Sequence, residues 1–440
     1  MPTRIPERIP DTAAPGARDK DDTALKTLRK EKRNDQLVRF TTHMNKIVVG
    51  QPQAIDKLSD SFSRLIAGVH DPERPLLTMM FMGPTGVGKT ETVRALAETI
   101  FGNKRAFTRV NCQEYSAHYN ISKLLGSPPG YVGGEIRPLL SQENIDRHHR
   151  KALDNQSGMI SETDSKLSRL YPPDSEKYLS ILLFDEIEKA HPKLWNLLLG
   201  ILEDGTVVLG NNEEVDFRQS IIILTTNVGS DAMGAHLAQS GIGFSTGVTE
   251  AKMDRDIEEA ALREAKKVFP FEFLNRFDDI ITYHTLKEQH LYSILDILIA
   301  QVHHRSLLCS EPFLLEITKE AKRLLVDQGT DVQYGARPLK RVVEREIVTP
   351  ISQYICSDQI RKGDLITVDV DEDDPAAGLI FRKETGVTSW EELESLGPFP
   401  ESQWAKEDLG VKDDGGEKKQ IVEKITQVVA NAGAMTGAED

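Results

Sequence analysis

Eight consecutive residues, Gly83-Pro84-Thr85-Gly86-Val87-Gly88-Lys89-Thr90, have the types and spacing to hold phosphate. They fit the pattern GxxxxGK[ST], in which glycines let backbone N–H groups close around phosphate oxygens. In that pattern Lys89 reaches the β- and γ-phosphates of ATP, and the Thr90 hydroxyl ligates Mg²⁺. Further along, Ile181-Leu182-Leu183-Phe184-Asp185-Glu186 is an apolar run that ends in two carboxylates. Alone, such an Asp-Glu pair serves equally as a solvated helix start. Paired with the phosphate motif, Asp185 is expected to hold Mg²⁺ through water, and Glu186 to orient and deprotonate the attacking water. The chemistry these groups suit is hydrolysis of the terminal phosphate of ATP.

Such groups need a scaffold that brings them to one edge. Apolar runs at Leu76–Met82, Phe107–Asn111, Ser180–Phe184 and Ser220–Thr226 read as strands, and amphipathic helices lie between them. After the phosphate motif, Val93, Leu96, Ala97, Ile100 and Phe101 share one helical face, and Gly102 is placed to end that helix. Strands alternating with helices predict an α/β fold with a parallel sheet, covered on both faces. Ligands of such sheets bind at the carboxyl ends of the strands, where Asp185 and Glu186 fall. The expected organisation is an N-terminal arm over residues 1–40 and a large α/β domain over 41–285. A smaller, mainly helical domain over 286–384 and an acidic tail over 385–440 follow.

Charge and composition narrow the partners. The net charge is −15, and the stretch from Asp364 onward carries 19 acids against 7 bases, a net of −12. Acidity concentrated in a tail argues against nucleic acid as the main ligand. No apolar run approaches the length of a membrane span, and Met1–Arg18 is polar with no secretory-type apolar core, so a cytoplasmic protein is expected. Cys112, Cys309 and Cys356 are in no metal-ligand spacing and are expected as buried small hydrophobes.

From about Ile47 to Arg382 the sequence resembles the Clp/heat-shock AAA+ proteins, in particular the second ATPase module of ClpA, ClpB and ClpC. Val48-Val49-Gly50-Gln51 is similar to the family's adenine-side motif, so Val48 and Val49 are expected against the base. Gly126-Ser127-Pro128-Pro129-Gly130-Tyr131-Val132-Gly133 resembles the substrate-gripping pore loop, with Tyr131, Val132 and Gly133 at its tip. Asp185–Pro192 matches the extended Walker B segment, and Thr225-Thr226-Asn227 resembles sensor 1, which implies that Asn227 faces the γ-phosphate. Phe273–Asp278 resembles the arginine-finger box, which implies that Arg276 enters a neighbouring subunit's site. Tyr334–Arg341 resembles the sensor 2 motif, which implies that Arg337 touches the γ-phosphate from the lid.

The resemblance implies a homo-hexamer that hydrolyses ATP with Mg²⁺ and threads a protein substrate through its pore. Two other readings stay open. Ile242-Gly243-Phe244 resembles the hydrophobic tripeptide with which unfoldases dock on a ClpP-type peptidase. A nucleotide-switched scaffold acting through the acidic tail is the second. Only one phosphate motif occurs, so substrate selection is expected to come from elsewhere. The segment after Gly133 is longer than the family's by roughly 25–30 residues. Its polar stretches Ser141–Arg150 and Asp154–Ser165 mark 141–178 as an insertion, either purposeful or disordered.

Overall fold

The computed structural model describes residues 34–126, 137–162, 165–172, 177–230, 233, 250–330, 335–371 and 378–385. The Tyr131 loop, Ile242–Phe244, most of the arm and nearly all of the tail therefore lie outside the described residues.

Five parallel strands form the central sheet: β1 (Leu77–Met82), β2 (Thr108–Asn111), β3 (Ser180–Asp185), β6 (Ser220–Thr226) and β7 (Asp279–Thr282). Their order is β2-β3-β6-β1-β7. A two-stranded hairpin, β4 (Thr206–Val208) with β5 (Glu214–Asp216), stands apart from it. Every residue of β1, β3 and β6 is buried, because both faces of these strands are covered. Alternate side chains feed two cores. Leu77, Met79, Phe81, Ile181, Leu183, Ile221 and Ile223 pack beneath α1 (Asp35–Ile47), α2 (Pro52–Ala67) and α3 (Lys89–Phe101). Met80, Met82, Leu182, Phe184, Ile222 and Leu224 pack beneath α5 (Pro192–Asp204) and α6 (Glu250–Val268). Such two-faced burial is what continuous apolar strands require.

The expected arm boundary at residue 40 falls inside α1. Leu37, Phe40 and Met44 are buried, and the Phe40 ring stacks on Phe62 at 4.1 Å, so α1 belongs to the large domain. The insertion also departs from a solvated loop. Residues Gln142–Asp154 form a helix, α4, that buries Ile145, Asp146, His149 and Ala152 on one face. The His149 ring sits among Phe101, Tyr171 and Tyr178, and its Nδ1 accepts from Leu179 N. Burial holds the His149 imidazole neutral, with a pKa lowered to about 4. Residues 157–160 then close over the end of α3: Met159 N and Ile160 N donate to the carbonyls of Thr99 and Ile100, and Ser157 Oγ to that of Phe101. These carbonyls belong to the last turn of a helix, which has no partners of its own for them.

The second domain has its own core. It packs α7 (Glu288–Leu308), α8 (Lys319–Gly329), α9 (Arg337–Val343) and α10 (Thr349–Cys356) with β8 (Leu314–Ile317), β9 (Leu365–Val370) and β10 (Leu379–Glu384). Strand β8 runs parallel to β9 and β10 antiparallel to it. A π-helical turn, Glu344–Val348, joins α9 to α10. Of the three cysteines Cys112 is buried, Cys309 is half-buried and Cys356 is exposed, so the expectation of three buried thiols fails at Cys356. Among the described residues no helix is long and apolar enough to cross a membrane.

Candidate active site

The phosphate motif leaves β1 and opens α3. Gly83, Gly86 and Gly88 all take positive φ (146°, 77° and 109°), conformations that L side chains resist. At Gly83 a Cβ would also lie 2.6 Å from the Tyr283 carbonyl oxygen. Gly88 is the N-cap of α3 and supplies no side-chain cap, so the first turn of this helix turns its N–H groups toward the loop. That arrangement fits an anion. Pro84, Thr85 and Gly86 are half-buried, and Val87 is buried beneath them.

Lys89, the first residue of α3, is nearly buried. Its Nζ donates to the carbonyls of Gly83 and Pro84 and, at 2.8 Å, to Asn227 Oδ1. Burial lowers the Lys89 pKa to about 8, opposed by the carboxylates of Glu188, Asp185 and Glu186, while Arg337 adds to the lowering. The four positions named as Lys89, Asp185, Asn227 and Arg337 are thus brought within electrostatic or bonding reach of one another. Thr90 follows on the half-buried side of the same turn.

Asp185 ends β3, beside Asn111 in register. Its Oδ1 accepts from Thr225 Oγ1 and its Oδ2 from Arg109 Nη2, both at 2.5 Å. The Thr225 hydroxyl accepts in turn from Glu186 N at 3.0 Å, so one buried hydroxyl fixes both carboxylate-bearing residues. Glu186 sits at φ 59°, ψ 55°, a left-handed conformation that a non-glycine residue adopts at a cost of about 1–3 kcal/mol. It is held by the burial of Ile187 and by the turn that carries Lys189 N onto Glu186 O. Asn227 N donates to Glu188 Oε1, while Glu188 Oε2 is buried without a partner. Cys112 is buried near this acid cluster, and burial pushes its thiol pKa far up, which leaves it inert.

Val48 and Val49, expected on the adenine side, lie behind the loop. Val48 is buried and Val49 half-buried, and Val48 Cγ1 would lie 3.8 Å from a Cβ on Gly88. From the second domain, Ala336 N donates to Gly86 O at 3.2 Å, and a Cβ on Gly335 would lie 2.9 Å from the carbonyl oxygens of Thr85 and Gly86. That close approach places exposed Arg337, at the start of α9, over the phosphate loop.

Arg276 is elsewhere. Asp278 N donates to Thr78 O, and Thr78 Oγ1 and Arg74 Nη2 both donate to the Arg276 carbonyl. This level of β1 lies five residues before Gly83, roughly 16 Å along the strand from the phosphate loop. The Arg276 guanidinium is paired with Glu203 at 2.9 Å and approaches Glu272 at 3.8 Å, and its Nε is buried without a partner.

Sequence reasoning missed Arg109, Thr225 and Glu188 as neighbours of the strand-end carboxylates. Thr225 stands two residues before Asn227 on a strand end and Glu188 two after Glu186. Their positions were in view, but their bonds cross 40 and 39 residues of chain.

The phosphate-cradling loop, the strand-end carboxylate pair and the strand order define a P-loop nucleoside triphosphatase. The model of the AAA domain (Cdc48 subfamily) matches residues 74–152 and 157–280, and that of the C-terminal, D2-small domain of ClpB protein matches 286–368. The chain belongs to the Clp/heat-shock AAA+ ATPases. It is 35% identical over 77% of its length to the negative regulator of genetic competence ClpC/MecB of Bacillus subtilis, covering 37% of that protein. It is equally 35% identical to the chaperone protein ClpB of Aquifex aeolicus, with 77% and 30% of the two chains covered. With the ATP-dependent Clp protease ATP-binding subunit ClpC of Staphylococcus epidermidis it shares 35% identity, over 78% and 37%. The chain thus spans about a third of the length of these relatives.

Proposed function

We propose that this chain is the motor of a cytoplasmic homo-hexameric ring that couples hydrolysis of Mg²⁺-ATP to protein unfolding or remodelling, drawing polypeptide through a central pore. In this reading Gly83–Thr90 cradles the triphosphate between Val48, Val49 and Arg337, and Thr90 and Asp185 hold Mg²⁺. Glu186 orients and deprotonates the attacking water, and Asn227 fixes that water against the γ-phosphate. The bound metal supplies charge neutralisation on the phosphates.

The observation that carries the reading is the place of Arg276. It projects from the opposite end of the sheet to the phosphate loop of its own chain, with one nitrogen bonded to Glu203 and another unpartnered. A finger that cannot reach its own site serves a neighbour's, and head-to-tail contacts of that kind close into rings. The test is a mixture of Arg276→Ala and Glu186→Gln chains under conditions of subunit exchange. Each is expected to bind ATP and turn over poorly alone, and the mixture to regain activity, because some sites combine an intact Glu186 with a neighbour's intact Arg276. A mixture as inactive as its parents sinks the trans assignment.

Threading has its own test. Tyr131, Val132 and Gly133 supply an aromatic grip tolerant of sequence. Tyr131→Ala should leave basal ATP turnover within about threefold while abolishing the unfolding of a tagged stable protein, because it removes an aromatic ring and none of the groups assigned to the nucleotide. Unfolding at the parent rate would remove the loop from the mechanism. The kinship with a protease ATP-binding subunit favours one variant of this function, a ring that docks on a ClpP-type peptidase through Ile242-Gly243-Phe244. Co-purification with such a peptidase, lost on Phe244→Ala, would establish it.

A further inference from the structure

Gln51 is an amide with almost no exposure, and it makes no local bond that would explain its burial. It stands at the N-cap position of α2 without capping that helix. Its Nε2 donates to Val87 O at 3.2 Å and to His284 O at 2.8 Å, and its Oε1 accepts from His284 N at 3.0 Å. The side chain thus pairs with the backbone of His284 as a neighbouring strand would, and holds the phosphate loop with the same nitrogen. His284 lies in the connector between β7 and α7, the only covalent route from the large domain to the second one.

Two further contacts converge on this point. Gly50, at φ 76°, has the His290 ring of α7 so close that a Cβ would meet Nδ1 at 2.5 Å. Tyr283, fully buried, donates through N to Met82 O at 2.7 Å and through its hydroxyl to Thr92 Oγ1 at 2.9 Å. The connector is therefore pinned on one side to the phosphate-loop helix by Tyr283. On the other side Gln51 pins it to the loop itself and to the adenine-side turn. The second domain meets the loop again at its far side, through Ala336 N on Gly86 O.

We propose that Gln51 is a positioning residue that ties the orientation of the second domain to the state of the nucleotide site. Any movement of Val87 or of the Val48–Gln51 turn on nucleotide exchange is passed to the backbone of His284 through one rigid amide. A buried amide that satisfies three backbone groups cannot shift without breaking those bonds, so loop and connector move together. Arg337 rides on the domain so positioned. The proposal rests on the ATPase reading of the site but not on the ring or on the finger.

The test reads distance as well as rate. Cys356 is exposed in α10, and a second label site comes from Arg105→Cys on the exposed loop before β2, with Cys309→Ser removing the half-buried thiol. In a Glu186→Gln background that retains ATP, energy transfer between the labels is expected to differ between ATP and ADP. Adding Gln51→Glu turns a carboxylate toward the carbonyls of Val87 and His284, and adding Gln51→Met fills the same volume without bonds. Either should collapse the two distances to one. In the otherwise unaltered chain the same changes should lower kcat about tenfold with ATP affinity within about threefold, the split expected of a misplaced group rather than a lost binding contact. Two distances that persist in both variants overturn the proposal, and so does a parent background whose distance ignores the nucleotide. If both variants fail to fold, amide exchange in the unaltered chain decides. The His284 N–H should exchange at rates that differ between ATP and ADP, and equal rates overturn the proposal. The subunit-mixing experiment keeps its own outcome in every case.

Discussion

At the carboxyl ends of β1, β3 and β6 Lys89 and Asp185 are each held by several hydrogen bonds, whereas at the opposite end of β1 the Arg276 guanidinium leans on exposed acids. Lys89 is held by two carbonyls and Asn227, and Asp185 by Thr225 and Arg109. Thr225 is buried on the neighbouring strand β6 and the two carbonyls belong to the loop itself, while Arg109 reaches in from β2 as an exposed side chain, so the positions of Lys89 and Asp185 are set before any ligand arrives, as electrostatic catalysis requires. Arg276, in contrast, is held by its backbone: Arg74 and Thr78 grip its carbonyl, while its guanidinium rests on half-exposed Glu203. One end of the sheet is a finished site. The other is a precisely aimed backbone carrying a side chain free to exchange a weak partner for a stronger one.

That contrast is broken most severely at the finished end. Lys89→Ala should abolish ATP binding, while Glu186→Gln should bind ATP with near-parent affinity and lose turnover by at least about 10²-fold. Calorimetric binding and phosphate release, measured separately, check the division. Hydrolysis near the parent rate by Glu186→Gln would remove that residue from the chemistry. Thr225→Val is a finer cut. It takes a hydroxyl from Asp185 and from Glu186 N at once, and a hydrogen bond to a charged group contributes about 1.5–3 kcal/mol. Turnover should fall about tenfold or more, with the Mg²⁺ concentration needed for half-maximal rate rising. An unchanged Mg²⁺ dependence would show that the hydroxyl does not position Asp185. At the other end Glu203→Gln should do least, because a half-exposed pair contributes about 0–1 kcal/mol. Thermal unfolding should shift by no more than a few degrees and turnover should stay within about twofold. A large fall in turnover would mean that Glu203 guides the guanidinium rather than rests it.

The phosphate loop and the strands β1, β3 and β6 were legible because their signals are local. Eight contiguous residues specify the loop, and runs such as Ile221–Leu224, apolar throughout, suit strands covered on both faces. Strand β7 was not legible, since its four residues, Asp279–Thr282, have polar ends and acquire strand character by pairing with β1. Helix α4 misled for a different reason. Its buried face includes Asp146 and His149, which a hydrophobicity scan scores as solvent-facing. Within the site, individual residues were legible and their mutual bonds were not, because Gln51 and His284 are 233 residues apart and Arg109 and Asp185 are 76 apart. The remoteness of Arg276 from its own phosphate loop followed only from the register of β7 on β1.

The closure of residues 157–160 over the end of α3 has a mechanical consequence. A helix whose first residue, Lys89, is bonded to the Gly83 and Pro84 carbonyls and to Asn227, and whose last carbonyls are capped by Ser157, Met159 and Ile160, is fastened at both ends. Gly102 and Gly158 interlock there so tightly that a Cβ on either would come within 3 Å of the other's backbone or of its neighbour's. Sliding or rotating such a helix would break those bonds, so in the proposed motor it serves as a stator, and movement falls to the parts that are hinged rather than bolted.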